Sequence, residues 1–259
     1  MNMMNTTNHE TYYSLSKHPF VKEVFKKGME IHKEIVKPGG FKIDTKYKRD
    51  PTEEEFYCMQ IGFYMAHLLT VLQQMEHTIL YMSNFSPTDS MKKAGVNRST
   101  HLLWSVENYI VRTQSVYDRL LILVDRLFHI QNQPNRISHE SIVTNTHISR
   151  TAIPDTLKPV KSAVRRYYHD RNTIIHEASY LNEELRRIEA YAILSSNPDY
   201  DEAYVKGLKE DLRWSVRDFI RNRKREYSRI NRNVCVSLGN LFYKMHPIFT
   251  KKYGELCAK

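Results

Sequence analysis

Apolar residues recur at three- and four-residue intervals through most of this chain of 259 residues, and no stretch alternates apolar with polar in the manner of a strand. That spacing lines one side of an α-helix, whereas a half-buried strand needs a period of two. The pattern predicts an all-α protein. Residues 19–35 read as a short helix with Phe20, Val24, Met29 and Ile31 partly buried, ended by Pro38-Gly39-Gly40. Asp50-Pro51-Thr52-Glu53-Glu54-Glu55 starts a long helix, since a cap, an early proline and three acids suit the positive end of the helix dipole. It runs to about Met82 and turns Phe56, Met59, Phe63, Ala66, Leu69, Leu72, Met75 and Ile79 inward. Residues 84–96, with Pro87 and Gly95, read as a loop.

A second long helix spans about 99–128, with Leu103, Val106, Ile110, Val116, Leu120, Leu123, Val124 and Leu127 on its apolar side. Two such helices pair antiparallel. Residues 130–154 are polar with little periodicity and read as a long connection, the kind that serves as a lid or an insert. Helix resumes over 155–169 and again over 179–194, the latter with Leu181, Leu185, Ile188, Tyr191 and Ala192 inward. Asn197-Pro198-Asp199 breaks the chain, and 200–256 follows as two helices with a weak point at Ser237-Leu238-Gly239. The chain thus divides into a tail and short helix over 1–50, a helical core over 51–194 and a C-terminal helical extension packed on the core over 195–259.

Composition narrows the class. With 41% hydrophobic and 26% charged residues the chain has the make-up of an ordinary globular protein. Cys58, Cys235 and Cys257 are odd in number and lack any Cys-x-x-Cys spacing, which argues against a disulfide framework or a cysteine zinc site and fits a reducing cytosol. Residues 1–10 lack the basic end and apolar stretch of a secretory signal, and no run of about 18 apolar residues occurs, so a cytoplasmic protein with no membrane association is expected. A net charge of +10 and a pI near 9.4 favour an anionic partner, although a basic excess can also be carried as plain solvated surface.

One segment combines the residue types of phosphate chemistry: Arg171-Asn172-Thr173-Ile174-Ile175-His176. On a continuous helix Asn172 and His176 share a face, whereas Arg171 and His176 diverge by roughly 140°. Both address one phosphate only where the helix bends or ends, or where two copies pool their residues. Lys158, Lys161, Arg165 and Arg166 precede the segment, with Asp170 the acid among them. Tyr167 and Tyr168 are placed to stack on unpaired bases, while packing in the bundle suits at least one of them, because neighbours on a helix point apart. Asp170 and Glu177 flank the segment, either tuning His176 or serving as surface acids. In the second long helix Trp104, Glu107, Asn108, Tyr117 and Asp118 either line a cleft or are hydrogen-bonded bundle residues.

Arg213, Arg217, Arg221, Arg225 and Arg229 recur every four residues, and 221–232 holds six bases against the single acid Glu226. Three uses of that stripe stand open: phosphate binding, a solvated face paired to Glu210, Asp211, Asp218 and Glu226, or a dimer interface. His169 and His176 lie seven apart, but Glu-x-x-His and His-Glu-x-x-His are absent, and Pro38-Gly39-Gly40 lacks the lysine of a phosphate loop. No metal and no cofactor is expected.

The segment resembles the R-x4-6-H motif of the HEPN superfamily: Arg171 and His176 match its defining positions, and Asn172 matches the polar residue that follows the arginine. Two long helices before the motif and an apolar helix after it extend the likeness over roughly 51–194 on element order. The resemblance implies an up-and-down helical bundle, here with additional N- and C-terminal helices, and a metal-independent endoribonuclease that works as a homodimer with two motifs meeting at a cleft. It implies attack of a ribose 2′-hydroxyl on the adjacent phosphate, with His176 transferring protons and Arg171 holding phosphoryl charge. Asn172 would orient the histidine or the phosphate, and Arg165, Arg166, Tyr167, Tyr168, Asp170 and Glu177 would contact RNA. By analogy with the family, the setting is a toxin–antitoxin or defence system, with an antitoxin or regulatory protein as a further partner. Members without cleavage act as RNA-, nucleotide- or protein-binding dimerisation modules, and a purely structural bundle is the third reading.

Overall fold

The described residues, 11–35, 48–180 and 182–258 of a computed structural model, are mainly helical and contain no strand. In chain order the helices are α1 (Tyr12–Ser16), α2 (Pro19–Ile35), α3 (Glu53–Ser83), α4 (Asp89–Lys93), α5 (Arg98–Leu127), α6 (His139–Val143), α7 (Ile153–Val164), α8 (Tyr168–His176), α9 (Glu183–Leu194) and α10 (Glu202–Cys257). Short 3-10 turns occur at Pro134–Arg136 and Arg165–Tyr167. The polar start at 1–10, the Pro38-Gly39-Gly40 stop and Leu181 lie outside the described residues. Two compact units divide the chain, and α3, α5 and α10 each contribute residues to both.

The first unit draws on Met1–Leu72, Ser115–Val164 and Arg232–Lys259. Its core joins α2, α3 and α10 through aromatic contacts: Tyr57 stacks on Phe249 with ring centres 5.8 Å apart, and Phe20 meets Phe242 edge-on at 5.8 Å. The Tyr57 hydroxyl donates to the Leu127 carbonyl at 2.8 Å, so this buried polar tip is satisfied. Just before the end of α5 the buried Asp125 pairs with Arg126 and accepts from the backbone and side-chain nitrogens of Asn132 at 3.1 and 2.8 Å. That carboxylate fixes a tight exit in which His129 and Gln131 adopt positive φ of 57° and 65°.

The connection at 130–154 is thereby more ordered than its polar pattern predicts. Ser138 and Ser141 form a reciprocal cap at the start of α6, and Ile142, Ile148 and Ile153 are buried. A five-residue helix is too short to reveal a period, and isolated isoleucines carry no phase. Three further expectations change. Phe56 and Phe63 of α3 are 47% and 57% exposed, and Tyr57, Ile61, Met65 and Leu68 face the interior instead, while Leu69, Leu72, Met75 and Ile79 are buried as expected. Apolar residues surround α3 on several sides, so the period identifies a helix without fixing which stripe turns inward. Met29 is exposed on α2, where Val21 and Ile35 take up core positions. The weak point at Ser237-Leu238-Gly239 is no break: α10 is a single helix of 56 residues. Val234, Leu238, Leu241, Phe242 and Met245 are buried there, and that burial outweighs the roughly 1 kcal/mol that one glycine costs a helix.

The second unit comprises Gln73–Gln114 and Arg165–Asn231, and it contains the whole of α4, α8 and α9. The expected loop at 84–96 includes the short α4, capped by Thr88. Arg98 at the start of α5 donates to the Met82 carbonyl near the end of α3 at 2.7 Å. The core is built by Val106, Tyr109 and Ile110 of α5, Leu185 and Ile188 of α9, and Phe219, Tyr227 and Ile230 of α10.

Candidate functional site

Helix α8 carries the Arg-Asn-x-x-x-His segment, and among its nine residues none is buried. An isolated helix of that length is not stable in water, so its position depends on what holds its ends. At the N-terminal end the capping residue is Tyr167, only 4% exposed, whose hydroxyl donates to Glu226 of α10 at 2.8 Å. Its ring meets Tyr109 and Tyr227 edge-on, and those two rings stack with centres 3.6 Å apart. Beyond the C-terminal end the backbone N–H of Tyr180 donates to the Glu107 carboxylate of α5 at 2.8 Å. The turn between them is closed by the N–H groups of Glu177 and Ala178, which both donate to the Thr173 carbonyl, at 2.8 and 3.0 Å.

Glu226 is the hub beneath the N-terminal end. Besides Tyr167 it binds Arg166 at 2.7 Å and Arg223 at 2.7 Å, and Arg223 also reaches Glu184 of α9 at 3.0 Å. The Tyr109 hydroxyl donates to Asn231 at 2.8 Å, which satisfies that hydroxyl on the far side of the stacked pair. Burial raises the Tyr167 phenol pKa, and the carboxylate of Glu226 raises it further, so Tyr167 remains a proton donor in this network. Burial likewise raises Tyr180.

The residues singled out in the sequence meet different fates. Arg171 is half-buried and donates to the side-chain oxygen of Asn172 at 3.1 Å, so Asn172 steadies the guanidinium. His176 is exposed as the last residue of α8, and Glu177 follows it as the exposed cap. Asp170 is half-buried, while Arg165 and Tyr168 are exposed, Tyr168 lying edge-on to His169. Arg166 reaches solvent but is committed to Glu226. Tyr167, expected as a stacking platform, is enclosed by Tyr109 and Tyr227 and offers no face to a base; it is the member of the Tyr167–Tyr168 pair that packs.

Because α8 is regular from Tyr168 to His176, Arg171 and His176 leave it roughly 140° apart, and one copy of the helix does not aim both at one atom. Sequence reasoning missed the supporting shell of Glu226, Arg223, Tyr180, Tyr109, Tyr227 and Asn231. The available signal was Glu226 itself, a lone acid inside a basic run. Glu107 and Tyr117, both flagged in the sequence, are bundle residues: Glu107 holds Tyr180, and Tyr117 shares a 2.7 Å hydrogen bond with His139. Trp104 faces solvent.

Among the described residues no group of three or more His, Cys, Asp or Glu side chains is arranged to hold a metal ion, and no helix is long and apolar enough to cross a membrane. A family model described as HEPN_Cthe2314-like HEPN matches residues 64–243, a span that includes α4 to α9 whole and most of α10. No curated protein and no solved structure matches the chain.

Proposed function

The chain belongs to the HEPN family, and on that premise we propose that it is a metal-independent endoribonuclease whose site is completed by a second copy of the chain. One observation carries the reading: α8 is moored at both ends yet buries none of its own residues, which leaves Arg171 and His176 open to a substrate. The roughly 140° between them is an obstacle within one copy. It vanishes when two α8 helices face each other and the arginine of one copy meets the histidine of the other.

In such a cleft the 2′-hydroxyl of a ribose attacks the adjacent phosphorus while a histidine accepts its proton. The bond to the 5′-oxygen breaks as that oxygen takes up a proton, giving a 2′,3′-cyclic phosphate and a free 5′-hydroxyl. His176 does the proton transfer, and Arg171, steadied by Asn172, balances charge on the phosphoryl oxygens. Arg165 and Tyr168, both exposed, are the flanking residues available to RNA; DNA lacks the attacking hydroxyl and is spared. By family analogy the activity belongs to a cytoplasmic toxin–antitoxin or defence system restrained by an antitoxin or regulatory protein. A binding-only module is the second reading, favoured by the same divergence of Arg171 and His176 if the chain works alone.

The test is incubation of the pure protein with mixed RNA in EDTA. Cleavage leaving cyclic phosphate ends is expected, with His176→Ala and Arg171→Ala each slowing it by about 100-fold or more at unchanged helical content and dimer mass. Either variant cutting at the wild-type rate would refute the assigned roles. RNA binding without any cleavage would select the binding module.

A further inference from the structure

Between Phe219 and Asn231 the only acid on α10 is Glu226, and its carboxylate is turned inward onto Arg166, Tyr167 and Arg223. Arg223 goes inward with it, its side chain 12% exposed. What is left facing solvent on this stretch is Arg221, Lys224, Arg225 and Arg229, of which Arg221 is shared with Asp218. Arg217 continues the strip toward the N-terminus, and Trp214, 61% exposed, heads it. Arg217, Arg221, Lys224 and Arg225 follow Trp214 by three, seven, ten and eleven residues, which places them all on one side of the helix. A shallow groove of about 390 Å³ opens beside them, with Arg213 and Arg217 at its rim and Val216 and Ile220 as apolar lining.

Two features choose among partners. Guanidinium groups rising about 6 Å per four-residue step suit a chain of phosphates, and Glu226, the acid next to Lys224, Arg225 and Arg229 in the sequence, is occupied by Arg166, Tyr167 and Arg223. The exposed indole of Trp214, which lines a hollow with Arg187, Glu184 and Asp218, supplies a stacking surface, which unpaired bases use and which paired bases and acidic side chains do not. We propose that the outward face of α10 from Trp214 to Arg229 is a docking site for single-stranded RNA, separate in the chain from the residues assigned to cleavage. The proposal rests on the ribonuclease reading for its substrate class and is tested apart from it.

The full chain carrying His176→Ala and Trp104→Phe leaves Trp214 as its sole tryptophan and removes turnover. Titration with an oligomer of roughly twenty uridines should quench Trp214 emission saturably. The triple variant Arg217→Gln/Arg221→Gln/Arg225→Gln, on the same background, should bind at least about 10-fold more weakly, with the slope of log K against log salt reduced by about 2. Trp214→Ala, followed by fluorescence anisotropy of labelled oligomer, should lose about 5-fold or more. Unchanged affinity and slope in the triple variant would overturn the proposal, as would polyglutamate or duplex RNA quenching Trp214 as strongly as the single strand does. Should the unmodified chain prove unable to cut any RNA while these binding results hold, the ribonuclease reading falls and the docking site stands. The same three substitutions made in a chain that retains His176 should leave cleavage of a dinucleotide at the rate of the unmodified chain.

Discussion

Glu226 binds three groups that the chain brings from two directions, Tyr167 and Arg166 on one side and Arg223 on the other. Replacing it by glutamine keeps the shape and removes the charge that offsets two guanidinium groups. Glu226→Gln should therefore lower the unfolding free energy by about 1 to 3 kcal/mol, and Tyr167→Phe by about 1 kcal/mol, in urea denaturation followed by circular dichroism. An unchanged midpoint for Glu226→Gln would mean that the hub contributes nothing to stability. The Arg171–His176 pair was legible because its spacing lies within six residues of chain. The hub was not, because Tyr167 and Glu226 stand 59 positions apart and no local pattern links them. Adjacent tyrosines point about 100° apart on a helix, so the sequence required that Tyr167 and Tyr168 differ without revealing which one packs. Asn172 bonding back to Arg171 was equally hidden, since helical spacing paired it with His176 instead.

At the level of elements, the start of α3 was read correctly from its three acids, and the structure gives one of them a defined task. Glu55 accepts from the Thr52 N–H at 2.9 Å and binds Arg49 at 2.6 Å, and the hydrogen bond from Arg49 is the main reason its carboxyl falls from the ordinary 4.5 to about 2. A depressed carboxyl stabilises the fold above its unfolded pKa and stops doing so as the pH falls through the folded one. The stability difference between the wild type and Arg49→Gln should be constant above about pH 4.5 and vanish as the pH approaches about 2, read from denaturant midpoints across that range. A difference that persisted at pH 2 would assign the effect of Arg49 to something other than Glu55. Elsewhere periodicity found the long helices and lost the short ones. It also misjudged α10, where local weakness at Gly239 yields to buried neighbours on the same helix.

For the molecule as a whole, the net charge of +10 conceals an unequal placement, because an acid that looks like a counter-charge in the sequence is spent inside. The thiols are sorted in a similar way. Cys58 and Cys235 are buried, and burial pushes the Cys58 thiol up to about 12, whereas Cys257 is exposed near the C-terminal end of α10. Iodoacetamide on the native protein near neutral pH should label Cys257 alone, and all three cysteines after unfolding, as read by peptide mass spectrometry. Rapid labelling of Cys58 would contradict the packing of α2 against α3. The helix that bears Arg171 and His176 has a less obvious property. Possessing no interior of its own, it borrows its pose from Tyr167 and Tyr180, whose anchors Glu226 and Glu107 lie 59 and 73 positions away in the chain. A substitution of either distant acid can thus displace the helix while every letter of its Arg-Asn-x-x-x-His segment stays the same.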